Sequence, residues 1–186
     1  PWEALAPQGV IYRQPDLAVE DPEGAIIAAM DEKTRLVAVS SIQYGSGLRL
    51  DLERIGAACQ KRGCLFLVDA IQSLGAFPID VQKIRADFLM ADGHKWLLAP
   101  EGLGVFYIAE RVLDQVRPTQ FGWHMVERMG DYETRDWEPA HSARRYECGS
   151  PNMLGIRALA ASLSLLMEEG MDSISNEILK RTARLV

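Results

Sequence analysis

Two continuous apolar runs of strand length, each ending in polar side chains, constrain this chain more than any other feature. Residues 65–68 read Leu-Phe-Leu-Val and end in the carboxylate of Asp69, with Gln72 three positions on. A second run, residues 87–91, carries the chain to Asp92-Gly93-His94-Lys95-Trp96. Pro100-Glu101-Gly102-Leu103-Gly104 then reads as a turn into a third strand over 105–108. Unbroken apolar runs of this length suit strands buried on both faces, as in a parallel sheet covered by helices. Open sheets of that kind place ligands just past the carboxyl ends of their strands. Asp69, Gln72, His94 and Lys95 all fall there.

The preceding sequence extends the pattern. Residues 10–13 are expected to form a short strand. Asp21-Pro22-Glu23 opens a helix with a cap and an N1 proline, and Ile26, Ile27 and Met30 form its apolar face. Residues 36–42 read as a buried strand, followed by the flexible run Gln43-Tyr44-Gly45-Ser46-Gly47. Asp51 caps a helix that turns Leu52, Ile55 and Cys59 inward and ends near Gly63. This β-α-β-α-β alternation predicts an α/β fold, a mostly parallel central sheet with helices on both faces. The strand at 105 follows Trp96 too soon for a helical crossover and is expected to run antiparallel to its predecessor.

A lysine in a desolvated cleft is an amine nucleophile able to form a Schiff base. Pyridoxal 5'-phosphate (PLP) needs such a lysine, and an acid that keeps its pyridine nitrogen protonated. Lys95 and Asp69 meet these two needs. Taken singly, Asp69 reads as a turn cap and Lys95 as a solvated loop lysine. The ordered set of strand, Asp-x-x-Gln, strand, Gly-His-Lys and Gly-rich turn favours the cofactor.

Composition narrows the remaining classes. With 186 residues, 48% of them hydrophobic, the chain has enough apolar surface for a core. The net charge of −6 and the lack of a basic cluster argue against nucleic acid. No run approaches a membrane span, and Pro1-Trp2-Glu3 carries neither a signal-peptide pattern nor an initiator Met. Cys59, Cys64 and Cys148 lack metal-ligand spacing and suit reduced thiols in a cytoplasmic protein. His94, His124 and His141 form no HxxxH-like pair, so no metal site is expected.

Val68-Asp69-Ala70-Ile71-Gln72, Asp92-Gly93-His94-Lys95-Trp96 and Pro100-Glu101-Gly102-Leu103-Gly104 resemble the class V aminotransferases. These are fold-type I PLP enzymes that include cysteine desulfurases and isopenicillin N epimerase-like proteins. The likeness continues through Tyr146-Glu147-Cys148-Gly149-Ser150-Pro151-Asn152, which is similar to the family's Arg-Phe-Glu-x-Gly-Thr-Pro-Asn run. It implies a class V aminotransferase acting on an amino acid through a Lys95 Schiff base, with desulfurase, lyase or epimerase chemistry as alternatives. A non-catalytic protein of the same fold is the alternative of another class.

The resemblance also implies roles. Lys95 binds PLP and later moves the α-proton, and Asp69 pairs with the ring nitrogen. Gln72 bonds the phenolic oxygen, or is only an exposed turn glutamine. His94 contacts the phosphate, or packs at a strand end. Ser150 reaches the phosphate of a partner subunit, which implies a homodimer with shared active sites; its plain alternative is a helix N-cap. Asp92 and Tyr44 depart from the desulfurase pattern, which has a phosphate-binding Ser at the first and an Asn near the second. Cys148 lies in the approach to Ser150 and is not the desulfurase cysteine. The ring-stacking aromatic is expected before Pro1, and the substrate-carboxylate arginine and desulfurase cysteine after Val186. On this reading residues 1–170 are part of the PLP-binding large domain and 171–186 lead toward a small C-terminal domain.

Residues 117–149 lose periodicity while holding Trp123, His124, Trp137 and His141. Such long connections are lids, binding loops or surface excursions. After them, residues 152–169 read as a helix with Ile156, Leu159, Ala160, Leu163, Leu166 and Met167 in one stripe, ended by Gly170. Asp172 starts another, with Ile174, Ile178 and Leu185 on its inner face.

Overall fold

The computed structural model describes residues 2–185. Four strands form one sheet: β1 (Leu36–Ser40), β2 (Leu65–Asp69), β3 (Phe88–Asp92) and β4 (Gly104–Ile108). They lie in the order β1-β2-β3-β4. β1, β2 and β3 are parallel, with Ser40 opposite Asp69 and Asp69 opposite Met90. β4 runs antiparallel to β3 and sets Gly104 opposite Asp92. The chain thus reverses at the carboxyl end of β3 through the segment that contains His94 and Lys95. That reversal follows the short spacing in the sequence.

Helix α1 (Pro22–Ala29) precedes β1, α2 (Leu52–Arg62) is the crossover from β1 to β2, and residues 70–87 join β2 to the parallel β3 without a helix. Asp21 caps α1 by accepting from the Gly24 N–H, and Asp51 caps α2 by accepting from the Arg54 N–H. Gly63 ends α2 in the left-handed region at φ 68°, where a residue without Cβ is favoured. Ile26, Ile55 and Cys59 meet Phe66, Val68, Leu89 and Ala91 in the main core, on one face of the sheet. On the other face Phe88 and Ile108 pack with Val112 from the 3-10 turn Glu110–Gln115, and with Tyr146.

Two helices close the described chain, α3 (Met153–Glu169) and α4 (Met171–Thr182). Leu159 and Leu166 of α3 are buried with Leu97 and Ala99, so α3 packs on the segment just after Lys95. Among the described residues no helix is long and apolar enough to cross a membrane.

Four local expectations are corrected. Residues 10–13 form no strand: the segment lacks a pairing neighbour, Ile11 is exposed, and Arg13 instead donates to the Ala29 carbonyl and pairs with Asp31. β1 stops at Ser40, and Ile42 makes only an isolated bridge to Arg49. In α3 the stripe is narrower than its sequence, because Leu97 and Ala99 meet only its Leu159–Leu166 side; Ile156, Ala160 and Met167 are exposed. Helix α4 starts at Met171 rather than Asp172, and Leu185 is exposed beyond its end.

Candidate active site at the carboxyl ends of β2 and β3

Parallel strands with matched register bring their carboxyl ends to one edge, and this sets Asp69 beside Ser40 and one strand away from the His94–Lys95 turn. The Asp69 carboxylate is held at both oxygens. Ser40 Oγ donates to Oδ2 at 3.0 Å, and the Ile71 N–H donates to Oδ1 at 3.0 Å. The Asp69 backbone carbonyl accepts from both the N–H and the Oγ of Ser41. The buried hydroxyls of Ser41 and Ser73 lie 2.5 Å apart. Asp69 is therefore fixed by β1 on one side and by its own turn on the other, while remaining partly exposed.

Gln72 lies in that turn, 70–74, where the Ser73 and Leu74 N–H groups both donate to the Ala70 carbonyl. The turn is locked against the lysine segment at Gly75. Its φ is 96°, and a Cβ there would come within 2.3 Å of the Trp96 carbonyl oxygen. Only glycine permits that approach.

Lys95 sits in a turn held by hydrogen bonds from Gly93 N–H to Leu103 O, from Ala99 N–H to Gly93 O and from Leu98 N–H to Lys95 O. Its side chain is partly buried. Among the described residues the lysines held in ion pairs are Lys83 and Lys180, so the Lys95 amine is not tied up in one. His94 places Nδ1 at 3.8 Å from Asp92 Oδ2.

Ser150 is exposed, and no hydrogen bond joins it to Asp69, Gln72, His94 or Lys95 among the described residues. It does not cap the helix after it. Asn152 does, accepting from the Gly155 N–H at 3.0 Å and donating to the Gly102 carbonyl at 3.1 Å. That second bond ties the start of α3 to the Gly-rich turn following Lys95. Tyr146, four residues before Ser150, donates to the Val116 carbonyl, and burial raises its phenol above the ordinary range.

The 117–149 connection has little regular structure but is cross-tied. Arg144 donates to the carbonyls of His124 and Val126, and Arg145 to that of Ala140. Gly122 abuts Cys148 so closely that a Cβ would lie 2.0 Å from its carbonyl oxygen. Phe121 and Trp137 meet edge to face and line an open groove of about 340 Å³ with Met125 and Val126. Tyr44 is exposed in the loop after β1 and lies outside these contacts. Among the described residues no group of three or more His, Cys, Asp or Glu could hold a metal ion.

Sequence reasoning brought Asp69, Gln72, His94 and Lys95 to one edge but missed Ser40. The signal was there, since Ser40 is itself a polar residue closing an apolar strand; its role needed the register. An aminotransferase class-V family model matches residues 10–186. The chain belongs to the class V aminotransferase family. Among its relatives in the family is a probable cysteine desulfurase of Pyrococcus abyssi, 33% identical over 98% of this chain and 46% of its own length. The apo cysteine desulfurase of Thermococcus onnurineus NA1 is 30% identical, covers 98% of this chain and 46% of that one, and superimposes with a TM-score of 0.79. C-DES, a cystine C–S lyase, is 28% identical in a lysine-to-alanine mutant that has glycine covalently linked to its PLP cofactor. That match covers 96% of this chain and 49% of C-DES with a TM-score of 0.85. The chain spans under half the length of the curated relatives it matches.

Proposed function

We propose that this chain is the cofactor-binding part of a PLP-dependent class V enzyme that acts on a sulfur-containing amino acid, as a cysteine desulfurase or C–S lyase. The observation that carries the cofactor is the fixed Asp69 carboxylate on the same sheet edge as an amine outside any ion pair, Lys95. The donor set fits PLP: an anion suited to a protonated ring nitrogen, and an amine suited to an aldehyde. When bound, that cofactor supplies an electron-withdrawing ring joined to the substrate's amino group. The sulfur chemistry is supported by the relatives named as cysteine desulfurases and by the likeness to a cystine C–S lyase. They favour it over general transamination, which remains the second reading.

The chain's own residues then have distinct tasks. Asp69, held by Ser40 and Ile71, keeps the proton on the ring nitrogen. Lys95 would hold the cofactor at its aldehyde carbon, and its amine is the group that would take up the proton from the substrate's α-carbon. Gln72 donates to the phenolic oxygen. His94 would contact the phosphate, and Ser150 would serve the phosphate of a second subunit in a homodimer. The place of Ser150 in residues 146–152, which are similar to the family's Arg-Phe-Glu-x-Gly-Thr-Pro-Asn run, supports that arrangement. Residues 1–170 are taken as the large-domain part, with α4 leading toward a small domain, in a cytoplasmic protein.

The test is borohydride reduction of the full-length protein supplemented with PLP, followed by peptide mass mapping. A pyridoxyl group on Lys95 is expected, and a folded protein without it would sink the cofactor assignment. Sulfide release from cysteine or cystine, compared with oxo-acid formation, separates the two reactions.

A further inference from the structure

Ser41 and Ser73 are each only 3% exposed, so their hydroxyls have to find partners inside the protein. Three contacts are within reach. Ser41 Oγ lies 3.1 Å from the Asp69 carbonyl oxygen, 2.5 Å separate the two hydroxyls, and Ser73 Oγ lies 3.3 Å from the Ala70 carbonyl oxygen. Each hydroxyl carries one proton, so two protons serve three contacts. With both protons aimed at carbonyls, two oxygens would face each other at 2.5 Å with nothing between them. One hydroxyl therefore donates to the other, and a single carbonyl takes the remaining proton. The Ala70 carbonyl already accepts from the N–H groups of Ser73 and Leu74, at 2.9 and 2.8 Å, and its hydroxyl contact is the longer one. The Asp69 carbonyl accepts from the Ser41 N–H at 2.9 Å and has a lone pair to spare.

We propose that the protons run one way, from Ser73 Oγ to Ser41 Oγ to the Asp69 carbonyl, and that Ser41 is the positioning residue that holds Asp69 and the Gln72 turn on β1 as one unit. Ser73 follows Gln72 directly. Its carbonyl accepts from the N–H groups of Ala76 and Phe77, which flank the approach of Gly75 to the Trp96 carbonyl. The Ser41 hydroxyl thus braces Asp69, Gln72 and, through Gly75, the segment that carries Lys95. That these residues hold PLP rests on the reading above; the direction of the hydroxyl chain does not. The direction makes the two serines unequal. Ser73→Ala removes one donor and leaves the Ser41 proton on the Asp69 carbonyl. Ser41→Ala breaks both links and sends the Ser73 proton to the crowded Ala70 carbonyl.

The test uses two readouts on the full-length protein, neither of them turnover. Amide hydrogen exchange, without and with PLP, follows Ile71, Ser73 and Leu74, whose N–H groups bond Asp69 Oδ1 and the Ala70 carbonyl. In Ser41→Ala these amides are expected to exchange up to about tenfold faster, and in Ser73→Ala up to about threefold, the range of one net hydrogen bond. The double variant should add little to Ser41→Ala, because Ser73 acts through Ser41. With PLP saturating, the visible circular dichroism of the bound cofactor, which reports how firmly it is oriented, should weaken in the same order. Equal or reversed effects of the single variants, additive effects in the double variant, or unchanged exchange overturns the proposal. A pyridoxyl group on Lys95 with wild-type dichroism in Ser41→Ala overturns the positioning role and leaves the cofactor reading intact. Exchange in the expected order with Lys95 unlabelled supports the hydroxyl chain and removes the cofactor reading.

Discussion

Ser40 and Asp69 are register partners on adjacent parallel strands, and the Ser40 hydroxyl donates to the Asp69 carboxylate at 3.0 Å. The pairing follows from backbone alone: once β1 and β2 align, position 40 has to face position 69. A neutral-to-charged hydrogen bond of this kind contributes roughly 1.5–3 kcal/mol at most, and solvent access at this partly buried site brings it toward about 1 kcal/mol. Ser40→Ala is therefore expected to weaken PLP binding by about fivefold and to lower the thermal midpoint by about 2–4 °C. Fluorescence titration of the full-length protein checks this. Unchanged affinity would mean that Asp69 does not depend on Ser40.

Lys95 can be tested without removing its charge. Lys95→Arg keeps a cation in the turn but supplies no amine able to bond the aldehyde carbon or take up a proton. Loss of the general base alone costs about 10² to 10⁴ in rate, and the pyridoxyl label on this residue disappears. Turnover within tenfold of wild type would show that the proton is moved by another group.

What the sequence revealed and what it hid divide along physical lines. The places of Asp69 at the end of β2 and of Lys95 in the turn after β3 were readable because continuous apolar runs mark buried strands and the polar residues that follow them mark the carboxyl edge. The antiparallel β4 was readable from spacing, since the interval after Trp96 is too short for a helix. The strand expected at residues 10–13 failed because β propensity expresses packing against neighbours, and Val10 and Ile11 have no neighbouring strand. The organisation of 117–149 was hidden for a related reason: it depends on Arg144 and Arg145 reaching distant carbonyls, which leaves no periodic trace. The start of α3 at residue 152 was legible, and the capping role that was the plain alternative for Ser150 falls to Asn152, a residue type equally suited to it.

Gly75 joins the turn carrying Gln72 to the one carrying Lys95. Gly75→Ala meets two obstacles, a left-handed φ and a Cβ 2.3 Å from the Trp96 carbonyl oxygen. Backbone strain and overpacking together are expected to cost about 3 kcal/mol or more. Chemical denaturation should show this loss, and any folded fraction should bind PLP poorly because the two turns have separated. A variant with wild-type stability would mean that the turns are free to move apart.

The three cysteines are expected to differ sharply in reactivity. Burial is the main cause that pushes the Cys59 thiol far above its ordinary range, with the neighbouring Cys64 adding to it. A neutral, buried thiol is inert toward alkylation. Cys148 is partly exposed, with Sγ at 3.8 Å from Gln120 Oε1. Brief treatment of the native protein with N-ethylmaleimide should modify Cys148, with Cys59 and Cys64 reacting only after denaturation. Native labelling at Cys59 would contradict the packing of α2 against β2.

The N-termini of α1 and α2 are tied together by a pair whose pH response has a definite sign. Arg54 donates to both oxygens of Asp21, at 2.6 and 2.8 Å, while the Gly24 N–H donates to Oδ1 at 2.9 Å. These bonds, that from Arg54 foremost, lower the Asp21 carboxyl to about 2. Unfolded Asp titrates near 3.9, so the folded state holds its proton less tightly than the unfolded chain. The stabilisation is therefore complete above about pH 4 and is lost as pH falls toward about 2. Arg54→Ala removes the largest cause and should return the Asp21 midpoint toward the ordinary carboxylate range, leaving only the helix-cap bond to lower it. A ¹³C carboxyl titration by NMR measures both midpoints directly. An Asp21 midpoint that does not move in Arg54→Ala would show that the cap, rather than the bridge between the two helices, controls this carboxylate.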